Sequence, residues 1–202
     1  MYLIAGLGND FEQYKYTRHN IGFLILDELL NKFNLSFAYK KNLKSHIISS
    51  KLGYIFNAIL NSEEKIIFAK PNQYMNNSGL SILSLISEYK PKKIIILHDE
   101  LDLKPYEIKY KLGGSDNGHN GLRSISSKIG TNYYRIRIGI GRPEINQNNQ
   151  TISIFENIKK KQNNIKPDIS SYVLSNFNKD EIKNYYLQIE KILFILEEII
   201  KL

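Results

Sequence analysis

Cysteine is absent from the 202 residues of the chain. Its absence excludes disulfide bonds, catalysis by a thiolate and any zinc site that needs cysteine ligands. Long apolar runs are also missing, since none approaches the roughly 20 residues of a membrane-spanning helix. The first ten residues have neither a basic start nor an apolar core long enough for a secretion signal. We therefore expect a soluble, cytoplasmic protein without membrane contact.

Acidic residues are fewer than basic ones, with 20 against 28, so the formal net charge is +8. Such an excess favours a polyanionic partner such as nucleic acid. The abundance of Lys, Asn and Ile offers an equally good explanation, because biased codon use produces the same composition. The positions of the cations must therefore decide. With 202 residues and 42% hydrophobic side chains, residues 1–202 predict one globular domain.

Short apolar runs at residues 2–7, 65–70 and 93–99 predict three buried strands. A helix is predicted at 77–90, between the second and the third run, which makes a strand-helix-strand unit. Another helix is predicted from Ile21 to Phe33, where apolar residues recur at helical spacing. These elements together predict an α/β fold.

Two further segments, 106–112 and 134–141, alternate apolar and polar side chains in the way that strands do. Both strands are expected to present paired cations on one face, namely Lys109 with Lys111 and Arg135 with Arg137.

The C-terminal third begins with a segment, residues 144–167, that is rich in Asn, Gln and Lys. We expect a polar surface insertion there, mobile or partly ordered. A C-terminal helix is predicted over 178–202. Its start resembles a capping box, because Glu181 follows Asn178 by three residues.

His19 stands in the stretch YTRHNIGF, residues 16–23, just before a predicted helix. An imidazole has an ordinary pKa of about 6.5, so it can take a proton from water near neutral pH if another group holds its tautomer. The alternative is that Thr17 or Asn20 caps the helix and that His19 is only structural. The residues of this stretch alone do not decide between the two.

Asp99 belongs to the stretch HDELD, residues 98–102, which follows a predicted buried strand. A carboxylate there can accept the N–H of a histidine and stabilise the positive charge that the ring gains, as in a hydrolytic triad. A metal site using His98, Glu100 and Asp102 is the alternative. It is disfavoured because no second histidine stands at a ligand spacing.

Three asparagines lie in stretches that are typical of turns, namely Asn9, Asn76 and Asn120. Neutral amides both donate and accept, so they can bind a peptide backbone or a water molecule. The alternative is that the turns simply need residues that tolerate left-handed backbone. The stretch around Asn9, GLGND, begins like a dinucleotide-binding fingerprint, but Phe11 stands where the third glycine is needed.

Taken together, the motifs resemble the bacterial peptidyl-tRNA hydrolase family, whose members cleave the ester between a peptide and the tRNA that left the ribosome carrying it. The resemblance extends in order from residue 5 to residue 177. The matching stretches are AGLGN, YKYTRHNIGF, KPNQYMNNSG, HDELDL, KYKLGG, GHNGLRSI, RIRIGIGRP and YVLSNF.

The resemblance implies a catalytic role for His19 and Asp99, with a mixed sheet surrounded by helices, no metal or nucleotide cofactor, and a monomer acting on peptidyl-tRNA. It implies that amides and a wall of the cleft hold the peptide backbone and the attacked carbonyl, and that basic residues bind the tRNA acceptor end. The implied cleft residues are Asn9, Tyr14, Met75, Asn76 and Asn120, and the basic ones are Lys109, Lys111 and Arg137.

The chain departs from the family at two turns. Asp10 and Phe11 follow Asn9 where the family usually has proline and glycine, so this turn is expected to be built differently. The stretch LDLKPYE likewise lacks the usual glycine after its proline. The main alternative function is a non-catalytic RNA-binding protein of the same fold, in which the basic strands hold RNA and His19 is structural.

Overall fold

The structure is a computed structural model that describes residues 1–56, 63–145, 151–152 and 168–202. The strands of the described part are β1 (Tyr2–Gly6), β2 (Ala38–Lys40), β3 (Ser45–Lys51), β4 (Lys65–Pro71), β5 (Lys93–Glu100), β6 (Ile108–Leu112), β7 (Tyr134–Gly139), β8 (Glu144–Ile145) and β9 (Thr151–Ile152). Among them, β1, β4 and β5 are fully or mostly buried.

Helices of the described part cover both faces of the main sheet. They are α1 (Ile21–Lys32), α2 (Leu52–Ile55), α3 (Ser78–Tyr89), α4 (Asn120–Ile129), α5 (Ile169–Val173), α6 (Lys179–Tyr186) and α7 (Ile189–Lys201). No helix among the described residues is long and apolar enough to cross a membrane.

Seven strands form the main sheet in the order β2-β3-β4-β1-β5-β7-β6. β1 is parallel to β4 and β5, and β5 is parallel to β7, whereas β2, β3 and β6 pair in antiparallel fashion. The predicted α/β fold with a mixed sheet is therefore confirmed. Because parallel strands end at the same edge of a sheet, the segments after β1, β4 and β5 meet there.

Two apolar layers hold the helices against the sheet. One contains side chains of α1, α6 and α7, and the other contains side chains of α3 and α4. β1 contributes to both, since Tyr2 and Ile4 face the first layer and Leu3 and Ala5 face the second. A strand covered on both faces has no polar side to show in its sequence, which is why residues 2–7 are continuously apolar.

Glycines let α1 approach the central strands closely. A Cβ on Gly22 would lie 2.5 Å from the carbonyl oxygen of Leu97 in β5, and one on Gly6 would lie 2.4 Å from the carbonyl oxygen of Gly22. Any side chain at either position would force the helix away from the sheet. This contact places the residues just before α1 beside the C-terminal end of β5.

The C-terminal segment, predicted as one helix over 178–202, consists of α6 and α7 with a break at Leu187 and Gln188. The capping box is present, since Asn178 accepts from the Glu181 N–H and Glu181 accepts from the Asn178 N–H. Neither glycine nor proline marks the break, and the apolar spacing continues through it. For that reason the sequence pattern did not reveal it.

A buried ion pair ties the C-terminal region to the residues beside His19. Arg18 Nη2 donates to Glu181 Oε1 at 2.8 Å, and both side chains are buried. Arg18 also donates to the carbonyl oxygen of Asn176 at 2.8 Å and lies between the rings of Tyr172 and Phe177. The segment that carries His19 is thereby held to α5, α6 and the residues between them.

One of the two turns that depart from the family pattern lies in LDLKPYE. There, Tyr106 takes the place of the usual glycine and has a left-handed backbone with φ of 67°. Its ring packs against Tyr185 with centroids 4.6 Å apart, and the strand predicted over 106–112 begins only at Ile108. Of the predicted insertion at 144–167, β8 and β9 pair with each other, and its remaining residues lie outside the described part.

Candidate active site

A cleft of about 710 Å³ opens at the edge of the sheet where the parallel strands end. The residues implied as catalytic and peptide-binding all line it, as do Lys111 and several others. Those implied residues are Asn9, Tyr14, His19, Met75, Asn76, Asp99 and Asn120.

His19 lies in a short 3-10 helix, Arg18–Asn20, that leads directly into α1. Its Nδ1 is 2.8 Å from Oδ1 of Asp99, the penultimate residue of β5. A carboxylate only accepts, so Nδ1 carries the hydrogen and donates it. Nε2 therefore has its lone pair free, and it makes no hydrogen bond to any described residue. This is the arrangement that a general base needs.

His119 is a second histidine on the same carboxylate, and sequence reasoning assigned it no role. Its Nδ1 accepts the N–H groups of Gly121 and Leu122 at 3.1 and 3.2 Å, capping α4. With that nitrogen used as an acceptor, Nε2 carries the hydrogen and donates to Asp99 Oδ1 at 2.9 Å. A histidine directly before a helix start was the available signal, since a side chain there can accept the first N–H groups.

The charges of this group perturb one another. Burial disfavours a charged His19, but the charge of Asp99 and its hydrogen bond outweigh burial and raise the pKa of His19 above its ordinary value. Burial likewise disfavours a charged Asp99, yet His19 and His119 hold the pKa of its carboxyl well below its usual range. Asp99 thus stays ionised and stabilises an imidazolium at His19.

Among the described residues, the group that most resembles a metal site consists of His19, Asp99 and His119. Ligand atoms of His19, Asp99 and His119 lie within 4.8 Å of one another. Each imidazole, however, already donates a hydrogen to Asp99 Oδ1, so a metal ion would have to displace both protons. The alternative site considered in HDELD is not assembled, because Glu100 binds Arg137 at 2.9 Å and Asp102 binds Arg142.

Asn9 is held by hydrogen bonds on three of its polar groups. Its N–H donates to Asn20 Oδ1 at 2.8 Å, and its carbonyl accepts from Asn20 Nδ2 at 3.0 Å. Its side-chain Oδ1 accepts the N–H of Met75 at 2.7 Å. Because the Met75 N–H needs an oxygen opposite it, the amide orientation is fixed and Nδ2 remains as a donor in the cleft.

The expectation that Thr17 or Asn20 caps the helix is wrong. Neither side chain caps, since Thr17 donates to the carbonyl of Tyr14 and Asn20 is engaged with Asn9. The 3-10 turn that runs into α1 removes the need for a cap at that point. Asn20 is instead a support for Asn9, and sequence reasoning missed this role.

Asn76 and Asn120 lie on exposed parts of the cleft wall, next to buried Met75 and at the start of α4. Gly121 allows α4 to come this close, since a Cβ there would lie 2.5 Å from Met75 Sδ. Tyr14 is half-buried at the opening. The predicted amides thus line the same cleft as His19 and come from several elements of the fold.

Sequence reasoning also missed an aromatic pair of which one member, Tyr74, lines the cleft. The rings of Phe11 and Tyr74 stack with centroids 4.3 Å apart and an angle of 26°. They are 41% and 50% exposed, so their outer faces are available to a ligand. Adjacent aromatic and amide residues in QYMNN were the signal for Tyr74.

The basic residues of β6 and β7 are not equivalent. Lys109 pairs with Glu107 at 2.6 Å, and Arg137 pairs with Glu100 at 2.9 Å. Lys111 makes no ion pair with any described residue, and burial, followed by the charges of Arg137 and Arg135, lowers its pKa. It is therefore the cation of the cleft that is most available to an anion.

Arg135 does not belong to the cationic face predicted for β7. It is fully buried, and its guanidinium donates to the carbonyl oxygens of Ser115 and Gly114 at 2.5 and 2.7 Å. It also lies over the ring of Tyr133. The loop after β6 covers this end of the strand, which alternation alone did not indicate.

Comparison with known proteins shows the family of the chain. The sequence matches the family described as peptidyl-tRNA hydrolase over residues 3–202. Peptidyl-tRNA hydrolases of Rickettsia canadensis and Rickettsia peacockii are each 41% identical to the chain over 194 residues, which cover 95% of this chain and 89% and 91% of theirs. A crystal structure of peptidyl-tRNA hydrolase from Acinetobacter baumannii is 30% identical, with a TM-score of 0.73 over 96% of this chain and 85% of that one. The chain belongs to the peptidyl-tRNA hydrolase family.

Proposed function

We propose that the chain hydrolyses the ester bond between a peptide and tRNA, releasing tRNA for reuse in translation, and that His19 is the general base. The observation that carries the proposal is the imidazole of His19, whose Nδ1 is held by Asp99 while Nε2 is left free in the cleft. We also propose that the protein acts as a monomer. Translation supplies the substrate in the cytoplasm, where we place the protein.

In the reaction, Nε2 of His19 removes a proton from water as the water oxygen attacks the ester carbonyl. Asp99 stabilises the imidazolium that forms and keeps the ring in one tautomer. When the bond to the tRNA oxygen breaks, His19 returns the proton to that oxygen. A hydroxyl leaves more readily than an amine does, so the mechanism needs neither a covalent serine or cysteine intermediate nor a metal.

Asn9 is the donor proposed for the oxyanion. Its Oδ1 is occupied by the Met75 N–H, so Nδ2 is positioned before the substrate arrives. A preorganised donor of this kind contributes about 3 kcal/mol in comparable acyl transfers. Asn76 and Asn120 hold the peptide backbone without reading its side chains, and Tyr14 and Met75 form the wall against which it lies.

The cleft also explains how an unblocked aminoacyl-tRNA is spared. Its ammonium would lose water on entering, and the carboxylates that line the cleft already have partners. Asp99 accepts from two histidines, Glu100 and Asp102 pair with arginines, and Asp116 accepts the Gly118 N–H. The four carboxylates of the cleft among the described residues are thus all engaged.

We therefore predict that N-acetyl-aminoacyl-tRNA is cleaved with a kcat/KM at least about 10-fold above that of the same tRNA with a free amine, equivalent to ~1.4 kcal/mol. Release of radiolabelled amino acid from purified protein measures both. Binding of the blocked substrate without release would favour the non-catalytic RNA-binding alternative. Equal cleavage of both substrates would contradict the role given to the engaged carboxylates.

Lys111 is the residue that we propose first for a tRNA phosphate, with Lys109 and Arg137 beside it. Replacing Lys111 with alanine is predicted to raise KM and to reduce the slope of log kcat/KM against log salt by about 1, because one phosphate contact is lost. Exposed Lys191 on α7, on the other side of the sheet, gives the matched control Lys191→Ala. An unchanged slope in Lys111→Ala would contradict the assignment.

A further inference from the structure

The turn after Asn9 is built around Asp10. The N–H of Phe11 donates to the carbonyl oxygen of Asn9 at 3.0 Å, which closes a three-residue turn with Asp10 at its centre. Asp10 has a negative φ, and its own N–H makes no hydrogen bond within the described residues. The direction in which the chain leaves Asn9 is therefore set by the torsion angles of a single residue.

The side chain of Asp10 is fixed by two residues from neighbouring strands. Its Oδ2 accepts from His46 Nε2 of β3 at 2.8 Å and from Asn72 Nδ2, just after β4. Asn72 is itself anchored, since its N–H donates to the carbonyl of Lys44 at 2.8 Å. The carboxylate thus joins the turn to the sheet through side chains that are about one quarter exposed.

The same turn is braced from its other end. Phe11 stacks on Tyr74, and Tyr74 directly precedes Met75, whose N–H holds Oδ1 of Asn9 at 2.7 Å. A change in the torsion angles of Asp10 would move Asn9 on one side of the turn and the Phe11–Tyr74 contact on the other. Either movement alters the hydrogen bond that aims Nδ2 of Asn9.

We propose that Asp10 is a positioning residue for the reaction, acting through its bonds to His46 and Asn72 to fix the orientation of the Asn9 amide. The inference rests on the proposed function of Asn9 as the oxyanion donor. A displacement of about 1 Å can cost 10²-fold in rate, so a brace outside the cleft can control kcat without touching the substrate.

The test uses steady-state hydrolysis of N-acetyl-aminoacyl-tRNA. Asp10→Ala is expected to lower kcat about 10-fold with KM changed less than about twofold, as partial misplacement of one donor requires. Asp10→Pro is expected to keep kcat within about twofold, because the ring fixes φ near −65° and suits this turn without the carboxylate. Asp27→Ala, which removes the carboxylate that binds Lys70 of β4 at 2.6 Å, is the matched control and keeps wild-type kcat.

Two double variants show whether the effect passes through the named residues. His46→Ala should lower kcat in the wild-type background but add nothing in Asp10→Pro, where the ring replaces the brace. Asp10→Ala should add little to Asn9→Ala, since the group that it positions is gone. Full additivity in either pair, or wild-type kcat in Asp10→Ala, would overturn the proposal.

Hydrogen exchange of the Met75 amide supplies a readout independent of activity. The amide donates to Asn9 Oδ1, so loosening the turn should speed its exchange about 10-fold in Asp10→Ala, and Asp10→Pro should restore protection. If wild type releases nothing from the blocked substrate, the proposed function fails, yet this exchange still decides the positioning. Unchanged protection in Asp10→Ala overturns the positioning even in an active enzyme.

Discussion

Replacing His19 with alanine lowers kcat about 100-fold or more, while binding of uncharged tRNA stays within about twofold of wild type. The loss follows because Nε2 of His19, the proposed base, lies in the cleft with its lone pair free while Asp99 holds the ring through Nδ1. General bases typically contribute 10²–10⁴-fold. We expect binding to survive because the phosphate contacts are proposed for Lys111 and its neighbours rather than for the imidazole.

Single-turnover release of N-acetylated amino acid from tRNA, with enzyme in excess, measures this loss without interference from product release. Thermal unfolding of the variant serves as the control for folding, together with tRNA binding. If His19→Ala kept more than about a tenth of the wild-type rate, His19 would not be the general base.

Asp99→Asn is expected to lower kcat about 100-fold and to move the remaining activity to lower pH. The amide keeps the shape of the carboxylate and an oxygen for the N–H groups of His19 and His119, but it removes the charge that stabilises the imidazolium. Asp27→Asn, which changes a carboxylate on α1 outside the cleft, is the matched control.

The sign of the pH shift follows from the pKa of His19. In wild type the pKa of His19 is raised by Asp99 against the effect of burial, so the free base, and with it kcat/KM, grows as pH rises through a value above about 6.5. In Asp99→Asn burial persists without the opposing charge, so the pKa of His19 falls and the rising limb moves to lower pH. A limb that stayed in place or moved to higher pH would contradict this electrostatic assignment.

Much of the site could be predicted because strand ends carry it. Apolar runs located β1 and β5, and parallel strands bring Asn9 and Asp99 to one edge of the sheet. Helical spacing located α1, which brings His19 to the same edge. The residues alone left open whether His19 is catalytic or structural. The resemblance to a family then implied a common catalytic role for these residues.

What could not be predicted depends on contacts between segments that are distant in the sequence. Asn20 was one of two alternatives for a helix cap, but it instead binds Asn9, 11 positions away. Arg135 lies on the face of β7 that alternation predicts, yet the loop after β6 covers it. Its guanidinium is therefore buried against backbone carbonyls and is not exposed to RNA. His119 received no role because its bond to Asp99 requires the packing of α4 against Met75. The spacing of apolar and polar residues indicates which face of a helix or strand a residue occupies, but it does not indicate which other segment covers that face.

The turn after Asn9 illustrates the same point at closer range. Asp10 and Phe11 were visible as departures, and the sequence raised the question of how the turn is built. The answer required His46 of β3 and Asn72, just after β4, to come within hydrogen-bond distance of Asp10. A local substitution was thus interpretable only through partners that the chain supplies 36 and 62 residues later.

The central claim, that His19 with its pKa raised by Asp99 is the base that activates water, is tested most directly by measuring one quantity in two ways. The pH dependence of kcat/KM gives the pKa of the essential base in the free enzyme. NMR titration of the His19 ring in the substrate-free protein gives the pKa of that ring in the same state. We predict that the kcat/KM limb and the ring titration coincide above about 6.5 in wild type and fall together in Asp99→Asn. A rate that rises with pH while the His19 ring titrates elsewhere would contradict the claim.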